Sequence, residues 1–197
     1  LLSAMPAAAD FAAPARVLLT ALLAQVPYLP AAEIDDFVAC WTKTLALKRG
    51  DFLVQPGQTE QFLYFIHHGL LRIYYPSGDE EICVGFGHGN TLICSFPSFV
   101  AGQPSAYAIQ ALRQSGLIAI SRREFQELLE RSPALARFWR FELEKALVGR
   151  MEHEIDLLLP EPAHRLARLR ARSPGIFQHV PKKYLASYLR MTPETLS

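Results

Sequence analysis

Apolar residues recur along this chain with three different periods. From about Pro14 to Gln25 they fall at helical spacing, and a second short helix is expected near Ala31–Cys40, after Pro27 and Pro30. From Trp41 to about Ile120 the runs are short, β-branched or aromatic, and separated by glycine and proline. Thr42–Leu47, Phe52–Val54, Phe62–Ile66, Leu70–Tyr75, Glu81–Phe86, Tyr107–Leu112 and Leu117–Ile120 read as strands, with turns at Lys48–Asp51, Pro56–Gln58 and Pro76–Asp79. Many short strands between regular turns predict an antiparallel sandwich or barrel. Beyond Pro133 the pattern becomes long and helical, with Leu135, Trp139, Leu143, Leu147, Met151 and Ile155 every four residues. Four residues overshoot a full turn by about 40°, so the stripe wraps slowly around the helix. Phe138, Phe141, Val148 and Leu158 widen it. An apolar surface of that width predicts two partners: the chain's own β-domain and a second copy of the chain. Pro160 and Pro162 end the helix and lead into a third region.

The last sixteen residues, Lys182 to Ser197, read as a helix, a tight turn and the start of another helix. Leu185, Ala186 and Leu189 form an apolar stripe, and Ala186 is small enough for a second helix to cross closely. Thr192 suits an N-cap, Pro193 the first helical position, and Glu194 the positive end of the helix dipole. This is the pattern of a helix-turn-helix whose second helix enters the major groove of double-stranded DNA. The five residues after Thr192 make only a short start to that helix, so the chain as given is expected to dimerise yet bind DNA poorly.

The net charge of +1 by itself argues weakly against a nucleic-acid binder, but its distribution changes the picture. Residues 161–197 hold seven Lys and Arg against Glu161 and Glu194, a net +5, whereas residues 1–160 are net −4. A basic module on an acidic body fits a chain of which only that module meets phosphate. Cys40, Cys83 and Cys94 are widely spaced, which favours a reduced, cytoplasmic protein without a metal or other cofactor. No run is long and apolar enough to span a membrane. The Ala- and Leu-rich residues 1–26 lack a basic leader and are interrupted by Arg16, so they read as an amphipathic helix rather than a signal peptide. Because the first residue is not Met, an incomplete or processed N-terminus is expected.

The order of elements, together with Lys48-Arg49-Gly50-Asp51, Gln55-Pro56-Gly57, Leu63 to Tyr74 around Gly69, and Ser77-Gly78, resembles the Crp–Fnr superfamily of transcription regulators. The resemblance covers about Ala31 to Ser197. It implies an α+β fold: an antiparallel β-roll (a double-stranded jelly roll) flanked by helices, a long dimerisation helix and a C-terminal helix-turn-helix. The corresponding domains would be 1–132, 133–160 and 161–197. It also implies a homodimer reading DNA, with RNA polymerase as a further partner and a small-molecule effector of unknown identity. Lys182, Lys183, Arg190, Thr192, Pro193, Glu194, Thr195 and Ser197 are then the candidate DNA contacts. Glu194 matches the family's common Glu, while Pro193 stands where an Arg is usual, and Arg190 replaces a glycine in the turn.

The departures bear on the effector. Cyclic-nucleotide-binding members pair an Arg with the cyclic phosphate and a Glu with the ribose. The corresponding stretch here, Thr91–Ala108, contains neither residue type. Ser105 or Ala106 takes the approximate place of the Arg, and Ser95 or Phe96 that of the Glu. A phosphate buried without a cation is poorly compensated, so tight binding of cyclic AMP or cyclic GMP is not expected. Cys94, Ser95, Ser105, Ala106 and Tyr107 mark the candidate effector pocket. Catalysis has the least support. A cupin-like metal enzyme would need clustered ligands, and His67 and His68, adjacent on a strand, should point to opposite faces. The alternative to a regulator is a ligand-binding or interaction module without productive DNA binding.

Overall fold

The computed structural model describes residues 11–196; Ser197, a candidate DNA contact, lies outside them. Two compact units emerge. The first comprises the chain through Ile73 together with Phe86–Phe138, and the second comprises Tyr74–Gly85 together with Trp139 onward.

The first unit begins with α1 (Ala12–Leu23) and α2 (Ala31–Ala39), close to the helices the apolar spacing predicts. Ala15, Leu19, Leu23, Ile34 and Phe37 supply their buried faces. Among the described residues eight strands form two four-stranded sheets, of which the hairpin segment Tyr74–Gly85 belongs to the second unit. The first has the order β1 (Lys43–Leu47), β8 (Ser115–Ser121), β3 (Phe62–His68), β6 (Thr91–Ile93). The second has the order β2 (Phe52–Val54), β7 (Ala108–Ala111), β4 (Leu70–Ser77), β5 (Glu80–His88). β1 and β3 flank β8 with antiparallel registers Thr44↔Ile118 and Phe65↔Ile118. Val54, Tyr64, Ile66, Leu71, Ile109 and Leu117 fill the core.

Two local features fix how the chain enters and leaves this core. Gly69 has φ +113, and a Cβ there would lie 2.1 Å from Ser115 Oγ, so only glycine joins β3 to β4. After the short helix α3 (Phe96–Ala101), Ser121 closes the sheet and starts α4 (Arg122–Arg131) through a capping box: its hydroxyl accepts from Glu124 N, and Glu124 reaches back to Ser121 N. The sequence carries that Ser-x-x-Glu signature, yet α4 was not among the elements its periodicity predicted. Neither was β6, which is only three residues long.

The long helix α5 (Pro133–Leu158) has the span the four-residue stripe implies. Ser132 starts it, accepting from Leu135 N at 2.9 Å and donating to Glu33. Leu135 is buried, Trp139 and Leu143 are half-buried, and Leu147, Met151 and Ile155 are exposed. Within the second unit α5 is followed by α6 (Pro162–Arg172), α7 (Ile176–His179) and α8 (Lys182–Tyr188). Leu169, Val180, Leu185, Ala186, Leu189 and Leu196 form that unit's small apolar core.

Candidate nucleic-acid interface and effector pocket

The reading end is built on α8. Lys182 and Lys183 sit exposed in its first turn, with Lys183 Nζ 4.7 Å from the centre of the Tyr184 ring. Leu185 and Ala186 face inward, and Ala186 O accepts from Met191 N at 3.0 Å, which folds the chain back beneath the helix. The turn needs a left-handed residue, and Arg190 takes it at φ 53. Thr192 then behaves as the N-cap the sequence suggests: its hydroxyl accepts from Thr195 N at 3.4 Å, and its carbonyl accepts from Thr195 N and Leu196 N. Residues 193–196 form a single turn, and among the described residues no second helix is assigned. Leu196 is buried and anchors that turn, while Thr192, Pro193, Glu194 and Thr195 stay exposed. The Glu194 backbone N–H and the Thr192 hydroxyl hold the Glu194 carboxyl below the usual range.

The basic excess of this region is only partly available to a partner. Arg165 donates to the carbonyls of Leu159, Pro160, Leu189 and Arg190, and so fastens the turn to the start of α6. Arg168 Nε and Arg172 Nη2 donate to Asp156 at 2.6 and 2.5 Å, and Arg168 Nη2 donates to Glu152 at 2.5 Å. Asp156 is wholly buried, and the hydrogen bonds from Arg172 and Arg168 outweigh its desolvation and hold its carboxyl low. Beside it, buried His153 stacks on Tyr188 with ring centres 3.8 Å apart. Burial and then Arg150 push the His153 imidazole down to about 4. The inward face of α5 is therefore polar in this unit. The outward face carries Phe141, Leu147, Val148, Met151, Ile155 and Leu158. Counting charges along the sequence could not separate the arginines that bind inward from those that remain free.

In the first unit, the candidate effector stretch closes on itself. Ser95 Oγ and Ser105 Oγ are 2.6 Å apart, both residues are buried, and Ser105 Oγ also bonds the backbone of Tyr107. Cys94 is buried, Tyr107 half-buried and Ala106 exposed. Behind them lies Glu60, which sequence reading missed. Its carboxylate accepts from Ser95 N, Phe62 N and the Tyr64 hydroxyl, each at 3.2 Å. Burial nevertheless raises the Glu60 carboxyl, and its charge helps to raise the Cys94 thiol and the Tyr64 hydroxyl. The buried cation of this unit, Arg72, donates twice to Gln110 Oε1, at 3.1 and 2.7 Å. Two residues of the candidate pocket, Ser95 and Ser105, thus hydrogen-bond each other, next to an anion of the protein's own.

The two histidines correct an expectation. Strand alternation places His67 and His68 on opposite faces, yet their Nδ1 atoms lie 3.0 Å apart. The register of β3 against β8 shifts between Ile66 and His68, and this bulge turns the second ring toward the first. Phe11 stacks on His67 and meets His68 edge-on. Among the described residues no group of three or more His, Cys, Asp or Glu is arranged to hold a metal ion.

Residues 44–132 match the family model of the cyclic nucleotide-binding domain. A 107-residue stretch is 27% identical to the HTH-type transcriptional regulator Cmr of Mycobacterium tuberculosis, covering 53% of this chain and 43% of that one. The chain therefore spans less than half the length of the curated relative it matches. Among solved structures, FixK2 from Bradyrhizobium japonicum superposes with a TM-score of 0.67 at 13% identity, over 78% of this chain and 80% of that one. The c-di-GMP-responsive regulator CLP of Xanthomonas campestris superposes with a TM-score of 0.67 at 18% identity, over 85% and 88%. At such identities the likeness is one of fold. Residues 44–132 thus match the cyclic nucleotide-binding domain, and the chain shares the fold of FixK2 and CLP.

Proposed function

We propose that this chain is a homodimeric, cytoplasmic transcription regulator that reads double-stranded DNA and does not respond to cyclic AMP. The observation that carries the reading is the open apolar face of α5 leading into the α8 turn. Leu147, Val148, Met151, Ile155 and Leu158 lie exposed on a helix whose opposite face is already satisfied by ion pairs. Burying each against a second copy would contribute about 1.5–3 kcal/mol. Two-fold pairing would present two α8 turns to half-sites about one helical turn apart. Lys182, Lys183 and Arg190 would meet phosphate, Glu194 would accept from a cytosine amino group, and Thr192, Thr195 and Ser197 would meet base edges or phosphate. The relative's description as an HTH-type transcriptional regulator supports the same reading. Among the described residues no His, Cys, Asp or Glu cluster is arranged to hold a catalytic metal, and RNA polymerase is a further partner in this reading.

The effector reading rests on the Ser95–Ser105 pair and on Glu60. A cyclic phosphate entering there would lose its usual cation and face a buried carboxylate. Calorimetry with cyclic AMP and cyclic GMP is expected to show no binding at micromolar concentration, and a micromolar constant would refute it. Sedimentation should give a dimer that Leu147→Glu with Met151→Glu converts to monomer. Gel shifts with genomic fragments should show saturable, salt-sensitive binding; its absence would favour an interaction module that does not use DNA, a reading the inward-bound arginines already allow.

A further inference from the structure

β5 is the outer strand of its sheet, so one side of its backbone has no neighbouring strand. At the hairpin Tyr74–Gly85, part of the second unit, a side chain of α8 engages that side. Ser187 Oγ, on α8, donates to Glu81 O and accepts from Cys83 N, both at 3.0 Å. Residues 81 and 83 lie two apart on a strand, so this carbonyl and this N–H point the same way. The hydroxyl therefore replaces the paired N–H and C=O that a neighbouring strand would supply. A third hydrogen bond to the β5 backbone runs from Arg150 Nη1 to Val84 O at 2.8 Å. Three residues past Ser187, Arg190 Nη1 lies 3.9 Å from Glu80 Oε2. Glu80, Glu81, Arg190 and Thr192 line one open groove of about 420 Å³.

The charges decide what this groove does. Arg190 and Thr192 are phosphate-contact candidates, yet two carboxylates share their groove. A DNA phosphate approaching Arg190 would displace Glu80 and lie close to both acids. The hairpin tip and a nucleic-acid backbone thus compete for the same residues. We infer that Ser187 is a positioning residue that clasps the reading turn to the acidic tip of the β4–β5 hairpin, holding the module in a state that excludes DNA. Opening the clasp frees Arg190 and removes Glu80 and Glu81 from the path of the phosphates. The inference rests on the DNA-reading proposal above.

Ser187→Ala in the full chain tests it, with Ser187→Thr as the conservative partner that keeps a hydroxyl. Affinity for a generic duplex at low salt, measured by anisotropy, should be about tenfold tighter for Ser187→Ala and near wild type for Ser187→Thr. Amide exchange at Cys83 should accelerate in the alanine variant and stay slow in the threonine variant. Glu80→Gln with Glu81→Gln, which leaves α8 untouched, should also bind more tightly, with an advantage over wild type that shrinks as salt rises. Unchanged or weaker binding by Ser187→Ala, with Cys83 exchange accelerated, would overturn the clasp while leaving the DNA reading in place. Absence of binding by every variant would overturn both.

Discussion

Ile118 in the β-roll and Asp156 in the long helix are both wholly buried, and their surroundings have little in common. Ile118 lies between β1 and β3, among residues such as Phe65, and its contribution depends on the apolar area removed from water. Asp156 lies between Arg168 and Arg172, and its contribution depends on two hydrogen bonds of fixed geometry. A core of the first kind tolerates rearrangement and is indifferent to pH. The second kind is directional, and removing one member strands the others. This difference suits the proposed division of labour, since a module that must be held in one place and released gains from contacts that are either made or broken.

Single substitutions should separate the two kinds. The largest effect is expected from Ile118→Ala, which should cost the first unit about 4 kcal/mol through the cavity it leaves. Asp156→Ala should cost the second unit about 3 kcal/mol, because Arg168 and Arg172 lose their shared partner; the partial exposure of Arg168 keeps the figure at the lower end. The chain's two tryptophans report on each: Trp41 belongs to the first unit and Trp139 to the second. Denaturant titrations of the Trp41→Phe and Trp139→Phe backgrounds should therefore show each substitution moving mainly one transition. A loss shared equally by both tryptophans would collapse the comparison.

Acid should push the units in opposite directions, with a smaller effect. His153 titrates well below its ordinary 6.5, so the neutral ring is favoured in the folded state. Its contribution is complete above about 6.5 and is lost as pH falls toward about 4. Arg150, Arg172, Asp156 and Tyr188 surround it, and only Asp156 favours the charged ring. Glu60 is shifted upward, so its contribution is complete below its ordinary 4.5 and is lost as pH rises through the raised value. Moving from pH 7 to pH 5 should lower the melting transition seen by Trp139, while Glu60 opposes a similar change at Trp41. His153→Phe should remove most of the acid sensitivity of the second unit. The smallest expected effect is a gain: Arg190→Gly relieves a left-handed φ of 53 and should stabilise the second unit by about 1 kcal/mol. Chemical denaturation of that variant measures it.

Much of the architecture was legible because it rests on periodicity. The strands from Lys43 to Ser121, β6 apart, and the span of α5 follow from where apolar residues recur. The Thr192 cap was legible too, because capping depends on residue type at one position. What escaped was decided by contacts distant in sequence. Glu60 gives no local sign that it will be buried beside Ser95, and nothing around Ser187 announces a strand edge 104 residues away. The His67–His68 contact depends on a bulge that alternation does not foresee. Arg165, Arg168 and Arg172 count toward the basic module in sequence and form internal ties in the structure, since a charge count carries no direction.

The hydroxyl of Ser187 has a consequence outside regulation. An uncovered strand edge is a template on which another chain can add a strand, and a sheet whose last strand is exposed invites stacking between molecules. At Glu81 and Cys83 the groups such a stranger would need are already engaged by α8. The contact that restrains the reader also guards the sheet, so releasing it to engage DNA uncovers a sticky edge for as long as the reader is away.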